Sequence, residues 1–500
     1  MNKQITRLAV TGVALIGALI VATTYWQAWA APDLQDRQDN AIQRVAQFTV
    51  KRGRILASDR RTVVAGNEAR RVSGKTFYFR RYPQRGLFAH VVGYSNEARS
   101  RAGLEQSQND YLTAANENLG TVLDSTLDRI RGTTVEGNDL VLTLDARAQR
   151  VARDVLGGRC GAIVALEPRT GRVLVLVSSP SYDPNVFQGK NGLARVGRIR
   201  ADCKPANALY NRATSGLYAP GSTFKVVTAS AALDGGRYTL ESKFDDPGFC
   251  VEYGRRVYNY FDQTLPSGYG RVDFLDAMQF SINSVFCNIG KRLGPLAVLD
   301  SARRFGFFAK PPLETPEAER RASGLYDRGR LFRPKDPSDV DPGRLAFGQE
   351  RLLVTPLQMA MVAAAVAAGG TVLEPHVIDR IVSPGGRTVL ESEPKALGRA
   401  IERSTAADLT TMMKAVVAGG TATAAQIPGV VVAGKTGTAE TGVRGVNTTS
   451  FIGFAPAGAP RVAIAVILEN QRGTGGKTAA PLARPVLQAL LGTTSNSVEG

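Results

Sequence analysis

The sequence predicts an α+β fold: an N-terminal membrane helix, a mixed α/β domain, and a larger domain in which an antiparallel sheet packs with helices. The first observation is length, because 500 residues are more than one compact core usually needs. The second is a segment without any charge from Leu8 to Trp29. The third is a series of strand patterns near the end of the chain, which closes with a helical pattern at residues 478–491.

The N-terminal segment predicts the compartment. Lys3 and Arg7 precede an apolar stretch of about twenty residues, which suffices for one helical membrane span. We expect a cytoplasmic tail at residues 1–6, a signal anchor at 7–29 and all later residues on the outer side of the cell membrane. A cleaved signal peptide is the alternative, because two alanines within residues 28–30 could serve a signal peptidase. The stretch is long for a signal core, so we prefer the uncleaved anchor.

The formal net charge of +18 predicts anionic partners. Lysine and arginine are scattered along the chain, without a basic block, a zinc-finger spacing or a ribonucleoprotein motif. We therefore expect no nucleic acid partner, and anionic membrane and cell-wall polymer fit the distribution better.

Four widely spaced cysteines are consistent with export. An exported chain meets oxidising conditions, so one or two disulfides are expected, and all three full pairings remain open. We expect a structural role rather than a catalytic thiol, because no Cys-x-x-Cys pair occurs. The four are Cys160, Cys203, Cys250 and Cys287.

The exported region divides at about residue 140, where regular patterns begin. Residues 32–48 are polar, which is typical of a stalk. The segment after them combines short strand patterns, such as residues 76–79, with many turn residues. The predicted exported parts are a pedestal domain, a larger domain and a tail, at residues 30–140, 141–492 and 493–500.

The larger domain shows both helical and strand patterns. Residues 161–167 and 172–179 predict a hairpin around a Pro-Arg-Thr-Gly turn. Residues 310–343 are rich in proline and charge and predict a long, solvated surface loop. The other predicted elements are strands at 140–145, 430–438, 449–456 and 461–469, and helices at 146–156, 356–368 and 478–491.

Histidine is too scarce to support the common hydrolytic sites. Only His90 and His376 occur, and neither is flanked by a metal-ligand pattern. We therefore expect neither a Ser-His-Asp triad nor a metal, and no cofactor. A hydrolytic or transfer enzyme built from this chain needs lysine as its base.

A Ser-x-x-Lys motif supplies such a lysine. A Pro-Gly break precedes Ser222, which begins a helical pattern, and Lys225 follows one turn later on the same face. The Lys225 amine can approach the Ser222 hydroxyl, and N–H groups at the helix start can stabilise an oxyanion. The motif alone is weak, because Ser392 and Lys395 repeat it by chance and, taken alone, Ser222 is better explained as a helix cap.

A Ser-x-Asn motif follows at Ser281 and Asn283. Both lie in an otherwise apolar segment, where polar groups cost stability unless they have partners. A second hydroxyl can relay a proton, and an amide can hold a substrate. Residues 107–109 repeat the spacing by chance, so this motif is also weak alone.

A single Lys-Thr-Gly motif lies on a predicted strand near the C-terminus. Lys435 adds a second cation, which can lower the pKa of Lys225 and attract an anionic substrate. Gly437 removes a side chain where a substrate could lie against the strand. Thr436 and Thr438 offer hydroxyls to a carboxylate.

The order of the three motifs resembles that of penicillin-binding proteins and serine β-lactamases. The resemblance extends over nearly all of residues 50–490 and is closest to the monofunctional, class B penicillin-binding proteins, in particular to actinobacterial members. The flanking segments that carry it are residues 52–55, 91–94, 103–105, 180–185, 346–360, 434–440 and 451–456.

The resemblance implies peptidoglycan D,D-transpeptidation through an acyl-enzyme on Ser222, with inhibition by β-lactams. Lys225 would take the proton of Ser222, Ser281 would pass a proton to the leaving D-alanine, and Asn283 would position the stem peptide. Oxyanion donors would be the N–H groups of Ser222 and Thr438. The terminal carboxylate would be held by Lys435, Thr436 and Thr438, beside Gly437.

The resemblance leaves related activities open. A D,D-carboxypeptidase would use the same catalytic residues, and a non-catalytic scaffold for cell-wall assembly would use the anchor and pedestal alone. A β-lactamase is disfavoured, because no Glu-x-x-Leu-Asn pattern lies between Ser281 and Lys435. A β-lactam sensor and a bifunctional class A enzyme are disfavoured too, because the predicted tail and pedestal are short. The implied partners are stem peptides, the membrane and the cell-wall synthesis machinery of growth or division.

Overall fold

The computed structural model describes residues 2–25, 48–96, 100–115, 134–189, 191–199, 201–259 and 268–493. Most of the predicted stalk, the alternative cleavage region, the last residues of the predicted anchor and the C-terminal tail beyond Thr493 lie outside the described residues.

The α-helices of the described residues carry the labels used below. In chain order they are α1 (Asn2–Thr24), α2 (Ala89–Val92), α3 (Gly103–Ser107), α4 (Asn109–Leu112), α5 (Ala146–Leu156), α6 (Gly192–Val196), α7 (Lys225–Asp234), α8 (Phe274–Gln279), α9 (Asn283–Leu293), α10 (Pro295–Arg304), α11 (Pro342–Ala346), α12 (Pro356–Ala367), α13 (Arg403–Gly419), α14 (Gly475–Thr478) and α15 (Ala480–Leu491).

The strands follow the same convention. They are β1 (Ile55–Leu56), β2 (Val63–Val72), β3 (Lys75–Arg81), β4 (Asp139–Leu142), β5 (Gly161–Leu166), β6 (Val173–Ser179), β7 (Lys243–Asp246), β8 (Phe249–Glu252), β9 (Arg255–Tyr258), β10 (Gly270–Asp273), β11 (Gly324–Asp327), β12 (Arg330–Phe332), β13 (Leu352–Leu353), β14 (Thr371–Leu373), β15 (Ile378–Val382), β16 (Thr388–Glu391), β17 (Ala396–Arg399), β18 (Ala433–Glu440), β19 (Asn447–Ala455) and β20 (Val462–Gln471).

Helix α1 is the only helix of the described residues that is long and apolar enough to cross a membrane. Its segment Thr6–Thr24 has a mean hydropathy of 1.8 and none of it is buried against the rest of the protein. A helix of this length and exposure fits the predicted membrane anchor.

A five-stranded antiparallel sheet forms the centre of the larger domain, in the order β18-β19-β20-β5-β6. Every residue of β5 is buried, as are most residues of β20, so helices cover both faces. Helix α12 packs on β5, β19 and β20, while α5 and α15 pack on β6 and β20. The predicted hairpin, helix α12, the three terminal strands and the last helix are confirmed, and β18 lies at an open edge of the sheet.

A six-stranded sheet joins the pedestal to the larger domain, in the order β16-β15-β4-β1-β2-β3. Strands β1 and β4 run parallel, and β15 pairs antiparallel with β4 through Ile381 and Leu140. Because β15 and β16 come from residues 378–391, this sheet is not confined to the predicted pedestal range.

A buried ion cluster holds the pedestal together. Glu105 is fully buried and accepts hydrogen bonds from Arg80 at 2.5 Å and from Arg52 at 2.8 Å. The two guanidinium groups hold the pKa of the Glu105 carboxyl below its usual range against the opposing effect of burial. Two of the flanking segments of the sequence, residues 52–55 and 103–105, therefore meet in one structural cluster.

The predicted solvated loop at residues 310–343 is wrong in part. Strands β11 and β12 form within it, β11 pairs with β13, and Leu325 is completely buried. The Glu314 carboxylate accepts hydrogen bonds from the N–H groups of Val377 and Ile378, at 2.9 and 3.0 Å. The charge in this segment therefore satisfies backbone donors of neighbouring elements as well as facing solvent.

Two disulfides resolve the cysteine pairing that the sequence left open. Cys160 pairs with Cys203, and Cys250 pairs with Cys287. The second bond links the β8–β9 hairpin to helix α9, which carries Asn283 at its first position.

Candidate active site

The three motifs meet in one cleft between a short helical turn, the start of helix α9 and the edge strand β18. A 3₁₀ turn at Gly221–Phe224 carries the partly exposed Ser222 and runs into helix α7. Gly221 has φ +54°, and a Cβ built on it would lie 2.6 Å from the Thr438 carbonyl oxygen. Only glycine allows this close approach, which places the turn against β18.

Lys225 is fully buried one turn after Ser222. Its Nζ donates to the Ser281 carbonyl at 2.7 Å, to the Ser281 hydroxyl at 3.2 Å and to Asn283 Oδ1 at 2.8 Å. Within the described part of the chain, no hydrogen bond joins Lys225 to the Ser222 hydroxyl, which the sequence predicted it could approach. These three acceptors match the three protons of a charged Lys225 amine. Only the neutral amine has the lone pair that can take the proton of Ser222.

The environment of Lys225 favours that neutral form. Burial lowers the pKa of Lys225 well below its usual range, and the neighbouring charge of Lys435 lowers it further. The Phe286 ring, 5.1 Å from Lys225 Nζ, acts in the opposite direction, because an aromatic face attracts a cation. The net lowering of the pKa allows Lys225 to act as a general base.

Lys435 lies on the other side of the Ser281 hydroxyl. It is fully buried on β18 and donates to Ser281 Oγ at 2.8 Å and to the Thr436 carbonyl at 3.2 Å. Burial lowers the pKa of Lys435 to about 7. The Ser281 hydroxyl therefore bridges two buried amines, which is the geometry of a proton relay.

The backbone between α8 and α9 places Ser281 in this position. Ser281 has φ +59°, a left-handed conformation that costs energy for a residue with a side chain. Asn283 is the first residue of α9, and its Nδ2 donates to the Tyr258 carbonyl at 3.2 Å. The Asn283 amide thus accepts from Lys225 through Oδ1 and donates one Nδ2 proton to the β8–β9 hairpin.

A buried carboxylate supports the start of α9. Asp246 accepts hydrogen bonds from the Ser284 hydroxyl at 2.5 Å, from the Tyr269 N–H at 2.8 Å and from Asn259 Nδ2 at 2.9 Å. Asn259 Oδ1 in turn accepts from the Ser284 N–H at 2.9 Å. This network holds Ser284, the residue that directly follows Asn283. Its only local sign in the sequence is the turn-like Asp-Asp-Pro-Gly at residues 245–248.

Strand β18 presents the remaining predicted residues. Thr436 is buried, with its hydroxyl 2.6 Å from that of Thr421, whereas the partly exposed Thr438 accepts from the Gly475 N–H at 3.1 Å. A Cβ on Gly437 would lie 2.5 Å from the Pro220 carbonyl oxygen. The glycine is therefore explained by packing against the turn before Ser222, a different reason from the substrate contact expected from the sequence.

A second buried network holds the chain segment that leads into the nucleophile turn. Glu469 on β20 accepts hydrogen bonds from Arg212 Nε and from the Tyr218 hydroxyl, both at 2.8 Å. Tyr218 lies four positions before Ser222 and bridges to Val354 through backbone hydrogen bonds. The sequence did not predict this network, because Glu469 lies more than two hundred residues from both Arg212 and Tyr218.

Potential metal ligands come together once in the described residues, at Cys250, Glu252 and Cys287. The two cysteines form a disulfide, so they offer no thiolate to a metal ion. The cluster is therefore best described as structural.

Comparisons with known proteins show which family the chain belongs to. A family model described as the penicillin-binding protein transpeptidase domain matches residues 161–488, and one described as the penicillin-binding protein A dimerisation domain matches residues 52–140. The chain therefore belongs to the penicillin-binding protein family. The predicted family and its transpeptidase fold are confirmed.

Within the family, the chain is similar to penicillin-binding protein A over nearly its whole length. Peptidoglycan D,D-transpeptidase PbpA of Mycobacterium tuberculosis is 33% identical over 98% of this chain and 99% of its own. Its counterpart from Mycolicibacterium smegmatis is 32% identical with the same coverage. The predicted resemblance to actinobacterial members of the class B penicillin-binding proteins is confirmed.

Solved structures of the family share the fold. The ceftriaxone acyl-enzyme complex of penicillin-binding protein A from M. tuberculosis has a TM-score of 0.79 and 31% identity, over 89% of this chain and all of that chain. Penicillin-binding protein 3 from the same organism, complexed with aztreonam, has a TM-score of 0.72 and 26% identity, over 89% and 96%.

Proposed function

We propose that this chain is a peptidoglycan D,D-transpeptidase that forms an acyl-enzyme on Ser222 and is inhibited by β-lactams at the same residue. The observation that carries the proposal is the Ser281 hydroxyl, which lies 3.2 Å from Lys225 Nζ and 2.8 Å from Lys435 Nζ, with both amines buried. A structural helix cap at Ser222 would need neither lysine.

Acylation begins when neutral Lys225 takes the hydroxyl proton of Ser222. The Ser222 oxygen then attacks the carbonyl carbon between the two D-alanines of a donor stem peptide. The developing oxyanion faces the N–H groups of Ser222 and Thr438, since the Thr438 backbone lies directly against the turn. As the C–N bond breaks, Ser281 donates a proton to the departing D-alanine nitrogen and regains one from Lys225, which carries the proton taken from Ser222.

Binding and resolution use the rest of the cleft. Lys435, Thr436 and Thr438 bind the terminal carboxylate of the donor, and Asn283 holds the peptide backbone. After D-alanine leaves, the amine of an acceptor stem attacks the ester carbonyl, and Ser222 regains its proton as the new amide forms. Water in place of the amine would give a carboxypeptidase product.

The proposed location places this chemistry outside the cell membrane. Helix α1 is the anchor, with Lys3 and Arg7 on the cytoplasmic side, and the pedestal and larger domain lie on the outer side. Partners of this arrangement are peptidoglycan stem peptides, β-lactams and proteins of the cell-wall synthesis machinery.

A cross-linking assay tests the proposal. The full-length chain in detergent is incubated with a stem pentapeptide and an acceptor amine, and products are separated by mass. The native chain should release D-alanine and give the cross-linked product. Ser222→Ala should abolish both, while Ser392→Ala, which removes the serine of the chance Ser-x-x-Lys copy, should leave both unchanged. Native-like turnover by Ser222→Ala would overturn the assignment, and release of D-alanine without cross-linking would favour the carboxypeptidase.

A further inference from the structure

The turn after helix α13 packs against two elements beside the cleft, the end of helix α8 and helix α14. A Cβ on Gly420 would lie 2.4 Å from the carbonyl oxygen of Gln279, two residues before Ser281. A Cβ on Gly476 would lie 2.2 Å from the carbonyl oxygen of Thr421. Side chains cannot fit at these distances, so the backbone around Thr421 is fixed between helices α8 and α14.

The Thr421 side chain is bonded to a residue of the proposed carboxylate site. Its Oγ1 lies 2.6 Å from Oγ1 of Thr436, the residue that follows Lys435 on β18. Thr436 is 5% exposed, whereas Thr421 is half-buried at the edge of the cleft. None of the three sequence motifs includes Thr421.

The number of protons on each group decides which hydroxyl donates in the Thr421–Thr436 hydrogen bond when substrate is present. A hydroxyl has one proton to donate and two lone pairs to accept with, and a carboxylate only accepts. If Thr436 donates its proton to the carboxylate, its bond to Thr421 persists only when Thr421 is the donor. A donor that itself accepts a hydrogen bond is polarised and becomes a stronger donor.

We propose that Thr421 is a positioning residue that donates its hydroxyl proton to Thr436 and thereby aims the Thr436 proton at the substrate carboxylate. The inference rests on the proposed function, because it requires that Thr436 bind that carboxylate. It concerns recognition of the anion alone, so the chemistry at Ser222 is unaffected.

The test compares benzylpenicillin with its methyl ester, which lacks the anionic carboxylate. Acylation of the full-length chain in detergent is followed by intact mass at several inhibitor concentrations, which separates the dissociation constant from the acylation rate. The variants are Thr421→Val, which keeps the shape and removes the hydroxyl, and Thr421→Ser, which keeps the hydroxyl. Thr411→Val is the matched control, because its hydroxyl bonds only the Ala407 carbonyl on the exposed side of α13.

Thr421→Val should bind benzylpenicillin about 5- to 10-fold more weakly, the loss expected for one hydrogen bond that supports a charged contact. Its maximal acylation rate should be unchanged, and its acylation by the methyl ester should equal that of the native chain. Thr421→Ser should restore the preference for the acid, and Thr411→Val should not alter it. If Thr421→Val is misfolded by circular dichroism, Thr421→Ala takes its place with the same expectation.

An unchanged ratio of acid to ester in the hydroxyl-free variants would overturn the inference, as would an equal loss for both compounds. Either result would leave the proposed function intact. Absence of any adduct on the native chain would overturn the proposed function itself.

Discussion

Replacing Lys435 by methionine tests whether its charge controls the protonation of Lys225. Both amines bond the Ser281 hydroxyl oxygen, at 3.2 and 2.8 Å, so at most about 6 Å separates them. Two unit charges at that distance repel by about 3 kcal/mol when the effective dielectric constant is about 20. Burial is the larger cause of the lowered pKa of Lys225, and this repulsion is the second.

Methionine keeps the length of the side chain and removes the charge. Without the repulsion the pKa of Lys225 rises, so less of the neutral base exists at a given pH and acylation slows. The full repulsion of about 3 kcal/mol corresponds to about 100-fold in the neutral fraction at pH values below that pKa. Because Lys435 with its pKa of about 7 is only partly charged near neutrality, the slowing there should be smaller than that caused by the loss of a full charge.

The assay is the second-order rate constant of acylation by benzylpenicillin as a function of pH. In the native chain this constant should rise as Lys225 loses its proton and fall above about pH 7 as Lys435 loses its charge. Lys435→Met should move the rising limb to higher pH and abolish the fall. Lys414→Met, an exposed lysine on α13, is the control. A rising limb that stays in place, with only a lower maximum, would refute the electrostatic reasoning.

Three further predictions concern the free energy of unfolding, and two of them also concern the rate of acylation. Since burial lowers the pKa of Lys435 to about 7, its unfolded state holds an extra proton above that pH, so this group alone should raise the free energy of unfolding by about 1.4 kcal/mol per pH unit until about pH 10. Lys225, whose pKa is also lowered, adds to the same slope. Urea titrations at several pH values measure this slope, which should be shallower in Lys435→Met. Asp246→Ala leaves the Ser284 hydroxyl and other donors unpaired, so it should cost about 3 kcal/mol and slow acylation through the displaced start of α9; native stability with native acylation would contradict this role. Glu105→Gln leaves two buried guanidinium groups uncompensated and should cost about 3–5 kcal/mol. Acylation by the folded fraction should remain native, and slow acylation at native stability would contradict a purely structural role.

Helices and strands with a clear hydrophobic pattern in their own residues could be predicted from the sequence. Strand β5 and the first seven residues of β20 are continuous apolar runs, which predict buried strands. The order of the three motifs predicted that Ser222, Lys225 and Lys435 meet, and the structure places all three around one cleft.

Contacts between distant segments could not be predicted in the same way. Thr421 meets Thr436 only because the turn after α13 packs between two other helices, and no local pattern records that packing. The loop prediction for residues 310–343 is wrong in part, because the charges of this segment suggest solvation. Glu314 instead accepts hydrogen bonds from the N–H groups of Val377 and Ile378. Which cysteines pair likewise depends on how the β8–β9 hairpin folds back onto α9.

Mapping the benzylpenicillin adduct to a residue shows whether Ser222 is the nucleophile. The full-length chain is acylated, digested and sequenced by tandem mass spectrometry, with Ser222→Ala treated in parallel. We expect a single penicilloyl group on Ser222 and none on the variant. An adduct on another residue, or no adduct on the native chain while the drug stays intact, would contradict it.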